Sequence, residues 1–194
     1  MDLQHLRAKI FVKDAADFDL DVMIPIFHGW IQEQAQDELM FIDVADYSHV
    51  HQGPGIMLIC HEGHFAMDEA GGRLGLAYAN KRLALGNMQD RIRCALRRVL
   101  DAAQRLEAEP KLAGKIAFRS DELDLCVDDR LYAPNTAETF QVIQPDLEKV
   151  LTGLYKGERV ELEHLEDPKV GLTVKVKASS SVDVSTLLAR IAAG

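Results

Sequence analysis

A chain of 194 residues, 47% hydrophobic and 27% charged, suits one compact unit of residues 1–194 and excludes wholesale disorder. The formal net charge of −9 disfavours broad nucleic-acid binding, because phosphates would be repelled. Cys60, Cys94 and Cys126 are odd in number and form no CxxC pair, which argues against a disulfide framework or a structural zinc knot. The expectation is a soluble, cytoplasmic protein: the start Met1-Asp2-Leu3-Gln4-His5 is not a signal peptide, and no apolar run approaches the ~20 residues of a membrane helix.

In chain order, Leu6 to Val12 nearly alternates apolar and basic residues, as a half-buried strand does. Asp19 to Asp21 can cap a helix from about Val22 to Gln34, with Pro25 in its first turn, where the missing amide costs least. Leu39–Val44 and Gly55–His61 read as strands joined by a turn at Gln52-Gly53-Pro54-Gly55. Phe65–Asp68 and Leu74–Lys81 flank Gly71-Gly72, a second hairpin. Asn87 is an N-cap for a long helix whose buried stripe is Ile92, Leu96, Val99, Leu100, Ala103 and Leu106.

After the connector Ala108 to Gly114 come strands near Lys115–Arg119 and Leu123–Val127, then a helix near Thr139–Leu154. Strands near Arg159–Leu165 and Gly171–Lys177 follow, with a last helix from about Asp183. The fold class is therefore α+β: a mixed, mostly antiparallel sheet with helices on one face. Strand, helix, strand, strand, helix recurs, which suggests two pseudo-duplicated ferredoxin-like halves, 1–109 and 112–194; a single sheet with chance recurrence is the plainer alternative.

Four of the seven histidines fall within residues 49–64: His49, His51, His61 and His64. Imidazole is the commonest transition-metal ligand and the natural proton carrier near neutral pH, so the crowding invites a site. A hairpin closed around Gly53-Pro54 breaks it into two pairs, about 15–20 Å apart at ~3.3 Å per residue, too far for one metal ion. That hairpin places His49 opposite Ile56, Tyr47 opposite Leu58, Ala45 opposite Cys60 and Asp43 opposite Glu62. The Gly71-Gly72 hairpin places Phe65 opposite Tyr78 and Glu62 near Lys81. Asp43, Glu62 and Lys81 would then form a row, with His64 on the same face as Glu62.

Asp43, Glu62, His64 and Lys81 are thus the candidate ligand-binding cluster, and His61, Glu62 and His64 a candidate set for a divalent metal cofactor. His61-Glu62-Gly63-His64 is not the zincin helix motif, whose histidines are four apart on a helix. Trp30 and His28 form a second candidate, as wall and polar reach of a ligand pocket, against the plainer reading of Trp30 as core. Between Arg73 and Arg105 eight basic residues face only Asp90 and Asp101, which suggests an anion near Gly86-Asn87, Lys81 and Arg82, or pairing with acids of the chain or of a second subunit. No GxSxG turn and no phosphate-binding glycine loop is present.

The leading expectation is a small-ligand-binding or assembly protein without catalysis, taking a small molecule or anion and capable of forming a homo-oligomer. The rival is a metal-dependent enzyme with a His/Glu/Asp site at the end of the central hairpin. A phosphate or nucleic-acid binder acting through the Arg91–Arg105 helix is a third reading.

Overall fold

The computed structural model describes residues 3–15, 18–34, 38–82, 86–112, 114–167, 169–179 and 181–193. Eight strands, β1 (Leu6–Val12), β2 (Phe41–Tyr47), β3 (Gly55–Cys60), β4 (Gly63–Asp68), β5 (Gly75–Asn80), β6 (Phe118–Val127), β7 (Val160–Leu165) and β8 (Leu172–Ala178), form one sheet in the order β2-β3-β4-β5-β1-β6-β8-β7. Every pairing is antiparallel, so the sheet is not mixed. Among the described residues there are four α-helices, α1 (Met23–Glu33), α2 (Met88–Glu107), α3 (Ala137–Leu154) and α4 (Val184–Ala193). Among the described residues, no helix is long and apolar enough to cross a membrane.

The helices start where side chains can satisfy their first amides. Asn87 and Asp90 form a reciprocal capping box at α2, and Thr136 caps α3. Ahead of α1 a 3-10 turn, Leu20–Val22, is capped by Asp19, so the chain is already coiled before Pro25 enters the first turn of the helix. The α2 stripe buries Ile92, Leu96, Val99, Leu100, Ala103 and Leu106 at 0–1% exposure.

All four helices lie on one sheet face. One hydrophobic cluster joins their buried sides to the strand residues of that face: Leu6, Ala8 and Ile10 of β1, Leu76 and Tyr78 of β5, Leu123 and Leu125 of β6, and Val174 and Val176 of β8. Alternation sends Arg7, Lys9 and Phe11 of β1 to the opposite, helix-free face.

The two short strands expected between Lys115 and Val127 are one, β6. Phe118 and Ser120 are buried at even positions and Leu123, Leu125 and Val127 at odd ones; the bulge in its pairing with β1, between Ile10 and Val12, shifts the phase and breaks the pattern in two. The element order does not recur as expected. Between β1 and α2 the chain makes one helix and four strands, whereas between β6 and α4 it makes one helix and two strands. Residues 1–109 and 112–194 share one sheet through the β1–β6 pairing, and a duplication is not established.

Candidate functional site

The β2–β3 hairpin reverses earlier than expected. Asp46 accepts from the Ser48 amide (2.8 Å) and hydroxyl (2.6 Å), Val50 N–H donates to Tyr47 O, and Gly53 N–H donates to Val50 O. Two successive turns, with Gln52 at φ 56°, replace a tight turn at Gly53-Pro54. Pairing therefore begins at Tyr47 opposite Gly55, and Asp43 faces Ile59 rather than Glu62. The second hairpin has the expected register, Phe65 opposite Tyr78, because Gly71 and Gly72 supply the left-handed positions (φ 71° and 72°) that its turn needs.

These registers dissolve the Asp43–Glu62–Lys81 row. Glu62 lies in the β3–β4 turn and acts as a brace. Its carbonyl accepts from the Lys81 and Arg82 amides, and its carboxylate accepts from the Met40 amide (3.2 Å) and lies 3.2 Å from His61 Nδ1. Slight desolvation pushes the Glu62 carboxyl up, but these bonds and His61 hold it below its ordinary value. Asp43 is exposed and accepts from the Val44 amide; it shares a cross-strand row with His64, but Ile59 stands between them, two strand spacings or about 10 Å. His49 and His51 are exposed at the far end of the hairpin, as expected.

His64 is the residue this architecture singles out. Gly63 lets β4 approach β5 closely: a Cβ there would sit 2.4 Å from the Ala79 carbonyl oxygen. His64 then lies opposite Ala79, whose other neighbour across β1 is Arg7. Its Nδ1 is buried and has no hydrogen-bond partner among the described residues. Desolvation first, then the positive charges of Lys81 and Arg7, hold its pKa below 6.5, with Asp128 opposing.

The consequence for stability has a definite sign. The unfolded chain takes up this proton at the ordinary 6.5, above the folded value, so the stability of neutral His64 is complete above 6.5 and is lost as pH falls from there towards the folded midpoint. Urea denaturation across that window is expected to show the wild type losing stability faster than His64→Gln; parallel pH curves would contradict it.

Sequence reasoning missed the next members of this row. Arg7 grips Asp128 with two bonds (3.1 and 3.3 Å), Cys126 Sγ lies 3.1 Å from Asp128 Oδ1, and the Thr173 hydroxyl donates to Cys126 Sγ (3.4 Å). The alternation of β1 marked Arg7 as outward-facing, but nothing local told which strands would flank it. The thiols are not poised for attack. Burial pushes Cys60 up to about 12 and Cys126 up to about 11, with Glu62 and Asp128 respectively adding to the shift.

The other candidates separate. Trp30 is 1% exposed, packs edge-on against Phe27 (5.4 Å between centroids) and carries Arg105 over its ring at 4.8 Å. His28 is exposed, and the shallow depression that Trp30 borders with Gly29 and Arg105 does not include it. Among the described residues, no group of three His, Cys, Asp or Glu is arranged to hold a metal ion, so His61, Glu62 and His64 gain no support as a ligand set. His61 lies against Glu62 in the turn, whereas the buried Nδ1 of His64 sits in the sheet.

The basic flank of α2 is largely paired within the chain. Arg97 and Arg98 meet Glu38, Arg105 meets Glu33, Arg93 meets Asp90, and Arg91 donates to the Leu3 carbonyl. The expected anion position at Gly86-Asn87 is taken by the Asp90 carboxylate, which accepts from the Asn87 amide (3.0 Å); residues 83–85 beside it lie outside the described residues.

Comparison of the chain with protein-family models, with curated proteins and with solved structures found no match.

Proposed function

We propose that this is a non-catalytic binding protein that takes a small oxyanion, a carboxylate or a phosphate, at the His64 end of the helix-free face. The observation that carries this reading is the buried, unpartnered Nδ1 of His64 beside the charges of Lys81 and Arg7. A neutral imidazole can donate from Nδ1 to an anionic oxygen, and the field that opposes protonation of the ring favours an anion beside it. Between His64 and Arg7 the sheet presents only the methyl group of Ala79, so no bulky side chain separates the two donors.

Binding without turnover fits the neighbouring groups. The two buried thiols stay protonated at neutral pH, and the Glu62 carboxylate is engaged by the Met40 amide and His61. The proposal is tested by thermal melting against a panel of small carboxylates and inorganic phosphate at millimolar concentration. At least one anion is expected to raise Tm, with the shift abolished in His64→Ala, reduced in Lys81→Gln and retained in His51→Ala at the far end of the hairpin. The same anion, recovered unchanged after prolonged incubation, would exclude its turnover. No shift across the panel, or a shift that survives both substitutions, overturns the reading.

A further inference from the structure

The other half of the helix-free face carries charges that alternate in sign from strand to strand. In one row Asp124 of β6 lies opposite Lys175 of β8, and Lys175 opposite Glu163 of β7. In the next, Glu122 lies opposite Lys177, and Lys177 opposite Glu161. Arg73 completes this second row by pairing with Glu122 while its guanidinium stacks on Phe11 at 3.8 Å. The rows line a depression of about 690 Å³. Within the chain the first row is loosely paired, Lys175 and Glu163 lying 3.8 Å apart and Asp124 accepting no hydrogen bond from a described residue, whereas in the second Arg73 meets Glu122 and Arg159 meets Glu161 (2.9 Å).

We propose that this face is an isologous interface with a second copy of the chain. A two-fold axis parallel to the strands, between β6 and β8, exchanges β6 with β8 and β1 with β7. Under that operation an alternating row meets itself with opposite signs. Asp124 faces the second copy's Lys175, Glu122 faces the second copy's Lys177, and Arg73 faces the second copy's Glu161. Each contact occurs twice, and no like charges meet. Strand directions remain aligned, as in a face-to-face sheet sandwich.

The charge balance points to the same surface. Four acids (Glu122, Asp124, Glu161, Glu163) and four bases (Arg73, Arg159, Lys175, Lys177) line the depression, so it is neutral in a chain of net −9. Two copies repel least where they meet through it. Four strands of about six residues span roughly 20 Å on a side, the low end of specific interfaces. The dimer is therefore weak and salt-sensitive. Its charge contacts use neither His64 nor Lys81, so its test stands apart from that of the anion-binding reading.

Sedimentation of the full chain over a concentration series at low salt is expected to show a monomer–dimer equilibrium, weakened at least tenfold at high salt. Lys175→Glu and Asp124→Lys each place like charges across the axis and are expected to weaken it at least tenfold while melting cooperatively. Mixed together, these two variants are expected to form a heterodimer, because each copy's reversed charge then meets its opposite. Were Asp124→Lys not to fold, Glu122→Lys mixed with Lys177→Glu reads the adjacent row in the same way. A strictly monomeric wild type, which would leave the face to another partner, overturns the proposal. So does a dimer that persists in both single variants, or a mixture that stays monomeric.

Discussion

Replacing Lys9 with methionine is expected to lower the folding free energy by about 3–5 kcal/mol, the usual cost of breaking a buried ion pair by removing one partner. Lys9 and Asp68 are 2.6 Å apart with side chains only 5% and 7% exposed. Lys9 also donates to the carbonyls of Arg73 (3.0 Å) and Ala70 (3.4 Å), while Asp68 accepts from the Ala70 amide (2.8 Å). Without the ammonium, the Asp68 carboxylate stays buried with that amide as its one remaining hydrogen-bond donor among the described residues, and two carbonyls lose a donor.

A pair of this kind returns little net energy against an apolar replacement of similar volume. Lys9→Met combined with Asp68→Leu is therefore expected to recover a large part of the loss. Urea midpoints for the singles and the double measure this directly, and a single-variant loss below about 1 kcal/mol would mean that water screens the pair after all. The loop matters beyond stability, because the bond to the Arg73 carbonyl helps set the chain from which Arg73 reaches Phe11 and Glu122. Lys9→Met should weaken self-association as well as folding.

Phe65→Ala is expected to cost about 3–5 kcal/mol, combining lost burial with the cavity left behind. Phe65 is fully buried on the helix-covered side of β4, between Phe41 (6.4 Å between centroids) and Tyr78 (4.9 Å). Its neighbour His64 faces the other way, so one residue of β4 secures the strand in the core and the next presents the imidazole. Loosening β4 should admit water around His64 and move its titration midpoint back towards 6.5. Chemical denaturation measures the first effect and proton NMR of the imidazole the second. An unchanged midpoint in a destabilised but folded variant would show that the His64 environment does not depend on this packing.

Much of the fold was legible wherever its cause is local. The alternation of Leu6–Val12 marked β1 to the residue, and the Asn87 cap with its apolar stripe marked α2. Gly71-Gly72 set the β4–β5 register because only a turn through left-handed positions joins those strands there. The β2–β3 register was not legible because the Asp46–Ser48 hydrogen bonds start a turn earlier than the Gly-Pro signal suggests. That shift moved Asp43 from Glu62 to Ile59. The bulge opposite Ile10–Val12 hid the continuity of β6 for a similar reason: three extra residues, an odd number, invert the burial pattern without leaving a turn residue to mark the change.

By itself the sequence determined the α+β class, most helix and strand positions, the separation of His49/His51 from His61/His64, and an acidic charge that discourages nucleic acid. These follow from periodicity, capping and composition, which act over a few residues or over the whole chain at once. Tertiary structure alone decided that β1 would sit between β5 and β6, setting Arg7 beside Asp128 and one methyl group away from His64. It also decided that Asp124, Lys175 and Glu163 would stand in one alternating row. Such pairings join residues up to 121 positions apart, and their energy comes from burial and hydrogen bonding across strands whose order no local signal encodes.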